Sequence, residues 1–268
     1  MLRRNRIALD TTRMLRIGAL TAYAMPFAFS AHFSHQGRRP RNDDSVLQVA
    51  TLDGALLCLL ADGFGPYGQQ ASRFSVQHIA ALYGSYLHRN PRTLLPWAVE
   101  HIHRQLAAWR RSLPYGSDTG CTLEAAVITP GRIVLAHAGD SRAYLLRGQQ
   151  LWSLTQDHTI AGAQPHHGRH RPLQHIPAEM RHVLLHYLGS NQQHATDYYD
   201  FAAYPGDYLL LCSDGVWGHL NESDLHNHLY RSNPTRAALN LVRRALERGS
   251  SDNVSAVVVQ LVDSRSYG

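Results

Sequence analysis

The sequence of 268 residues contains no lysine, because all 26 of its basic residues are arginine. Catalysis through a lysine Schiff base, and nucleotide hydrolysis that needs a phosphate-loop lysine, are therefore excluded. Cysteine is also scarce: the three cysteines are too few for a disulfide framework and have no CxxC spacing for zinc. This usage favours a reducing compartment, and we expect a cytoplasmic protein.

Long hydrophobic runs are missing as well. The uncharged stretch at residues 17–29 is shorter than the ~20 residues of a membrane-spanning helix, so we expect no membrane segment. The arginines before it and a small-x-small sequence at residues 21–24 leave a secretory signal peptide as one alternative. A true start at Met14 or Met25 is another.

Positive charge is concentrated at the beginning of the chain. Residues 1–41 hold eight arginines and one acidic residue, a balance of +7, whereas residues 42–268 hold eighteen arginines and nineteen acidic residues, a balance of −1. The body is neutral, so we expect no nucleic-acid binding. We predict a basic extension at residues 1–27, disordered or upstream of the true start, and one domain at 28–264. An adaptor that binds nucleic acid or a membrane surface through residues 1–41 stays an alternative based on charge alone.

Strands and helices are predicted in blocks. Short apolar runs bounded by turn residues predict strands at residues 55–60, 123–129, 133–138, 143–146, 208–212 and 254–261. A tight turn at 130–132 joins the runs 123–129 and 133–138 into an antiparallel hairpin, and a further reversal at 147–149 extends it to a meander. Amphipathic stretches predict helices at about 69–88, 94–112 and 234–248. This order favours an α+β fold with antiparallel sheets and helices outside, interrupted by an irregular insert at 158–187.

Aspartates lie in short turns beside the predicted strands, where they can converge at one rim of the sheets: Asp43, Asp44, Asp62, Asp140, Asp214 and Asp252. Converging carboxylates repel one another unless a cation lies between them. Ligands that are all oxygen select Mg²⁺ or Mn²⁺ over zinc, and the carbonyl of Gly63 adds another oxygen. Two such ions ~3.5–4 Å apart activate a water and stabilise phosphoryl charge. Taken singly, each Asp is also compatible with an ordinary turn or cap.

The order of these acids within short motifs is more specific than any one of them. The motifs are Arg39-Pro40-Arg41-Asn42-Asp43-Asp44, Ala61-Asp62-Gly63-Phe64-Gly65, Gly120-Cys121-Thr122, Gly139-Asp140-Ser141-Arg142-Ala143-Tyr144, Ser213-Asp214-Gly215 and Ser251-Asp252-Asn253. The series resembles the metal-dependent serine/threonine phosphatases of the protein phosphatase 2C family, bacterial type, over about residues 30–262. The resemblance implies a four-layer α-β-β-α sandwich of two antiparallel sheets flanked by helices.

The resemblance also implies a site with two Mn²⁺ or Mg²⁺ ions. Asp62 would bridge them, the Gly63 carbonyl would bind the first, and Asp214 and Asp252 would bind the second. The implied reaction is single-step hydrolysis of phosphoserine or phosphothreonine by a metal-activated water, without a phosphoenzyme. Asp62, Asp214, Asp252 and Arg39 are the residues we expect to carry it.

Further residues receive supporting roles by the same resemblance. Asp44, with Asp43 beside it, would support the metal centre directly or through water. Asp140 would share a third, weaker ion with Asp214, and Arg39 would bind the substrate phosphate. The insert at 158–187 corresponds to the family's flap.

The chain departs from the family pattern after Asp62-Gly63, because Pro66 and Tyr67 stand where relatives commonly have glycine and histidine. A histidine acid at that position is therefore absent, and the flap histidines His166, His167 and His170 are interpreted as solvated polar residues. We expect a monomer that acts on phosphorylated proteins and opposes a cognate serine/threonine kinase. The alternative is a pseudophosphatase that binds phosphoproteins as a scaffold, although no metal carboxylate is missing.

Overall fold

Two antiparallel sheets lie face to face, with helices on both outer sides, in a computed structural model that describes residues 18–86, 89–114, 118–163, 177, 180–193 and 195–263. The first sheet has six strands in the order β1-β2-β12-β11-β8-β9. Their bounds are β1 Gly18–Met25, β2 Ala28–His35, β8 Arg142–Arg147, β9 Gln150–Ser153, β11 Tyr208–Cys212 and β12 Val254–Leu261.

The second sheet has the order β10-β7-β6-β4-β3, and a short strand β5 pairs with the end of β4. The bounds are β3 Asp44–Ala50, β4 Leu56–Phe64, β5 Gly120–Cys121, β6 Leu123–Thr129, β7 Arg132–Ala138 and β10 Asp197–Ala202. Every described pairing in both sheets is antiparallel. The α+β sandwich expected from the sequence is confirmed.

Helices α1 (Gly68–Ser85) and α2 (Pro91–Arg111) cover the second sheet, and α3 (Asp214–Trp217), α4 (Glu222–Leu229) and α5 (Pro234–Glu247) cover the first. Helices α2 and α5 begin at asparagine caps. Asn90 and Asn233 each accept a hydrogen bond from a backbone N–H two or three residues later, and a proline follows each cap. No described helix is long and apolar enough to cross a membrane.

Three layers of buried side chains hold the sandwich together: one between each sheet and its helices, and one between the two sheets. The central layer consists of alternate residues of buried strands, such as Leu56, Cys58 and Leu60 of β4. The residues between them on the same strand face α1 and α2. Both faces of β4 are therefore covered, which explains its continuous apolar sequence.

Strand β1 lies before residue 28, the predicted start of the domain. Strand β1 pairs with β2 along its full length, from Gly18 opposite His35 to Met25 opposite Ala28. The uncharged stretch that allowed a leader interpretation is thus an edge strand of the first sheet. Residues 1–17 and the histidines His166, His167 and His170 lie outside the described residues, so their predicted roles stay predictions.

Candidate metal centre

The hairpin formed by β3 and β4 brings the first two acids together. Asp44 begins β3 and lies directly opposite Asp62 near the end of β4, although 18 positions separate them in the chain. Side chains of such directly paired residues are close neighbours on the sheet. One carboxylate oxygen of Asp44, Oδ2, accepts a hydrogen bond from Ser213 Oγ at 2.9 Å, which links this hairpin to the first sheet.

The first sheet supplies the next two acids. Asp214 is the first residue of α3, directly after β11, and Asp252 lies just before β12, the strand that pairs with β11. The two loops pack tightly, because a Cβ on Gly215 would lie 2.0 Å from the carbonyl oxygen of Asn253. Glycine at this position is therefore required for the close approach of Asp214 to Asp252.

Asp140 lies in the connection from β7 to β8, where the chain passes from one sheet to the other. Gly139 before it has a φ of +101°, and a Cβ there would meet Thr122 at 2.6 Å. The carbonyl of Asp140 accepts a hydrogen bond from the Trp217 indole nitrogen at 2.8 Å. Its carboxylate lines the same cavity as that of Asp214, and the Asp214 charge acts on it.

These loops surround a cavity of about 760 Å³. Its lining includes Arg39, Arg41, Asp43, Asp62, Gly63, Asp118, Asp140, Asp214 and Asp252, with Phe64, His182, Val183, Leu184 and Tyr187 on the remaining walls. Seven of the eight site residues predicted from the sequence therefore line one cavity, and Asp44, the eighth, is buried beside Asp62 and interacts with Asp214 and Asp252.

Without a cation, the carboxylates of this cluster resist ionisation. Burial, followed by the charges of Asp44 and Asp214, raises the pKa of Asp62 well above its ordinary value. Burial also raises the pKa of Asp44 and of Asp140 to about 7, and loss of hydration together with Asp252 raises that of Asp214. A concentration of buried acids at this cost is typical of a functional site.

Two observations test whether the cluster suits a metal ion. Oδ1 of Asp44 and Oδ1 of Asp214 are buried and have no hydrogen-bond partner among the described residues. No three Asp, Glu, His or Cys side chains in the described part of the chain are close enough to hold an ion by themselves. The donors fit Mg²⁺ or Mn²⁺, which complete an oxygen shell with backbone carbonyls and water, and they do not fit a metal that needs a full set of side-chain ligands.

Two arginines lie at the edge of the cavity and are engaged differently. Arg39 donates to Asp252 Oδ2 at 2.6 Å, and this hydrogen bond and charge raise the pKa of the guanidinium. Arg41 donates from Nε to both carboxylate oxygens of Asp43, at 2.7 and 3.0 Å, and from a terminal nitrogen to the Gly65 carbonyl. Asp43, predicted to assist the metals, therefore lies in the cavity wall with its carboxylate engaged by Arg41.

Three polar residues hold the site and were not given roles from the sequence. Asn253 accepts from the Asp43 backbone N–H at 2.7 Å and donates to the carbonyls of Gln36 and Arg41. Thr122 Oγ1 accepts from the Asp62 N–H at 3.0 Å, and Ser213 has the bond to Asp44 described above. All three stand inside the quoted motifs, so the motifs contained the signal.

The fold and the site define a class of protein: a four-layer α-β-β-α sandwich with an acidic, arginine-flanked centre at the seam of its sheets. The chain belongs to the protein phosphatase 2C family, whose family profile it matches over residues 33–256.

Named relatives agree with this membership. Serine/threonine protein phosphatase PstP of Mycobacterium tuberculosis is 31% identical over 227 residues, which are 84% of this chain and 43% of PstP. The chain thus matches less than half the length of that relative. Serine/threonine phosphatase stp of Listeria welshimeri is 26% identical over 230 residues, 83% of this chain and 91% of the relative. The structure of the PstP catalytic domain in complex with two manganese ions has a TM-score of 0.75 at 29% identity, covering 91% of this chain and all of that one.

Proposed function

We propose that this protein is a metal-dependent phosphatase that hydrolyses phosphoserine and phosphothreonine in proteins, with Mn²⁺ or Mg²⁺ as its cofactor. One observation carries the proposal: carboxylates from both sheets converge on one cavity, and two of their buried oxygens have no hydrogen-bond partner among the described residues. Relatives named as serine/threonine phosphatases, one of them crystallised with two manganese ions, support it.

The residues have distinct roles in this proposal. Asp62, Asp214, Asp252 and the Gly63 carbonyl would hold two ions, Asp44 would support Asp62, and Asp140 would share a third, weaker ion with Asp214. When bound, these ions lower the pKa of water and neutralise charge on the phosphoryl oxygens. The cavity is lined by acidic residues, so the protein contributes chiefly by placing charges rather than by a nucleophile of its own.

Arg39 orients the substrate phosphate. Its guanidinium is half-exposed at the cavity edge, and Asp252 fixes it through a terminal nitrogen, NH2. A planar guanidinium matches a phosphoryl group with two parallel hydrogen bonds, which a rotating ammonium cannot do. Phe64 and Tyr187 also line the cavity, where they pack edge to face with centroids 4.9 Å apart and give it an apolar wall for the substrate peptide.

The cysteines take no part in this chemistry. All three are free and buried, and burial raises the pKa of Cys58 and Cys121 to about 12. Thiols in this state are not nucleophiles. We further propose that the protein acts in the cytoplasm as a monomer, opposite a serine/threonine kinase.

The experiment that tests the function is metal rescue. Protein stripped with a chelator should hydrolyse neither p-nitrophenyl phosphate nor a phosphothreonine peptide, and added Mn²⁺ should restore both activities. Asp62→Asn and Asp214→Asn should remove turnover at saturating Mn²⁺ while the protein stays folded by circular dichroism. Hydrolysis by these variants in the presence of chelator would reject the proposal.

A matched control lies in the same hairpin. Asp53 is in the turn between β3 and β4, at the opposite end of the strands that carry Asp44 and Asp62. Asp53→Asn removes the same charge without touching the cavity and should keep wild-type turnover.

The alternative function, a pseudophosphatase scaffold, predicts a different result. Such a protein would bind the phosphopeptide without hydrolysing it at any Mn²⁺ concentration.

A further inference from the structure

The side chain of Trp217 joins two loops that each carry a site carboxylate. Trp217 is the last residue of α3, three positions after Asp214. Its indole N–H donates a hydrogen bond of 2.8 Å to the backbone carbonyl of Asp140, on a loop 77 positions away in the sequence. One side chain therefore connects the helix that presents Asp214 to the loop that presents Asp140.

Arg142 holds the indole in this orientation. Its guanidinium carbon lies 3.5 Å from the centre of the Trp217 ring, which is a close cation–π contact. The guanidinium is itself fixed, because Nε and NH2 donate to the two carboxylate oxygens of Asp157 at 2.7 and 2.8 Å. The guanidinium makes two hydrogen bonds to a carboxylate, and an indole packed against it has little freedom to rotate. The direction of the indole N–H is therefore fixed.

The rest of the Asp140 loop is attached elsewhere. The backbone N–H of His158 donates to the Gly139 carbonyl at 2.7 Å, and the Ser141 hydroxyl lies 2.7 Å from Thr122 Oγ1. Those bonds fix the loop against the second sheet and the start of the flap. The bond from Trp217 fixes it against α3, which belongs to the other side of the seam.

We propose that Trp217 is a positioning residue that sets the separation of the Asp140 and Asp214 carboxylates and thereby the affinity of the ion these two acids share. The inference rests on the metal centre of the proposed function. Both carboxylates interact across the cavity, since Asp214 is the charge with the largest effect on Asp140. Without this bond the Asp140 loop can shift and change the distance that a shared ion would have to span, whereas Asp62, Asp214 and Asp252 keep their positions.

The test is a calorimetric titration of chelator-stripped protein with Mn²⁺. Wild type should show tight binding and a weaker event. Trp217→Phe keeps an aromatic side chain beside Arg142 that is smaller than the indole and lacks its N–H donor. It should weaken the weaker event about five-fold, the effect of one hydrogen bond of about 1 kcal/mol at 1.4 kcal/mol per tenfold, and leave the tight event unchanged.

A double variant that combines Trp217→Phe with Asp140→Asn separates positioning from a general effect on the fold. Asp140→Asn should remove the weaker event, and adding Trp217→Phe to it should change the remaining binding no further. Trp152→Phe is the matched control, because Trp152 is half-exposed on β9 and does not line the cavity. It should bind Mn²⁺ as wild type does.

Each result of these titrations supports or contradicts the positioning role of Trp217. A weaker event of unchanged affinity in Trp217→Phe, or a loss of tight binding in the Asp140→Asn background, overturns the positioning role. Wild type that binds no Mn²⁺ rejects the proposed function as well. If Trp217→Phe does not fold, Arg142→Lys provides the same test, because it keeps the indole N–H and loses the two-pronged bond to Asp157. It too should selectively weaken the second event.

Discussion

A buried ion pair outside the cavity gives a sharp test of how this sandwich is stabilised. Glu124 of β6 and His137 of β7 are directly opposite in register and fully buried, with Oε1 2.5 Å from Nδ1. The other ring nitrogen of His137 bonds to the Gln156 carbonyl at 2.9 Å. One proton shared between Glu124 and His137, together with one on the far nitrogen, satisfies both contacts.

Glu124→Ala should destabilise the protein strongly, and Glu124→Gln only slightly. Removing one partner of a buried pair leaves the other unpaired and costs about 3–5 kcal/mol. Gln keeps the shape, and its amide can donate to Nδ1 of a neutral imidazole, so we expect a cost of about 1 kcal/mol or less. Urea unfolding at constant m-value measures both changes. Equal costs for the two variants would refute the reasoning.

The same pair predicts a pH dependence. Burial raises the pKa of Glu124 to about 7, and although burial lowers that of His137, the Glu124 carboxylate outweighs it and raises the net value. The folded wild type therefore binds more protons than the unfolded chain, and this pair contributes less stability as the pH rises from about 4.5 through 7. The unfolding free energy of Glu124→Gln relative to wild type should increase from pH 5 to pH 8. A constant difference would contradict the assignment.

Three further predictions concern the cavity and the buried cysteines. Arg39→Ala should raise KM for a phosphothreonine peptide about ten- to a hundred-fold, because a charge-assisted hydrogen bond contributes about 1.5–3 kcal/mol; an unchanged KM in steady-state kinetics would remove Arg39 from phosphate binding. Gly37→Ala should lower both unfolding free energy and Mn²⁺ affinity, since Gly37 has a φ of +64° and a Cβ would lie 1.8 Å from the Asp252 carbonyl; urea unfolding and calorimetry measure the two effects. The three buried cysteines should resist a thiol reagent in the native protein and react only after unfolding, and rapid native labelling would show that the strands open.

The strands that the sequence predicted with the correct bounds are those whose residues are almost all buried. Strands β6, β11 and β12 have the predicted bounds, because both of their faces are covered and their residues are almost uniformly apolar. Six strands of the described structure were not predicted: β1, β2, β3, β5, β9 and β10. Four of them, β1, β3, β9 and β10, lie at sheet edges, and the exposed residues of β9 and β10 interrupt the apolar pattern.

The acids of the site could be predicted because each motif places an Asp at the end of a strand. Their partners could not. The bond between Arg39 and Asp252 joins residues 213 positions apart, and Arg41, which binds Asp43, also donates to the carbonyl of Gly65, 24 positions away. The contact of Trp217 with Asp140 uses a backbone carbonyl, which leaves no trace in residue types.

The acids alternate between the two sheets: Asp44 and Asp62 come from one, Asp214 and Asp252 from the other, and Asp140 from the crossing between them. Neither half of the sandwich can thus form the centre alone, and the spacing of the carboxylates measures how the halves are aligned. If one sheet slid over the other by a fraction of an ångström, the spacing of the carboxylates would change before either sheet was disturbed. A moved helix on the outer face and a repacked central layer would both produce such a shift.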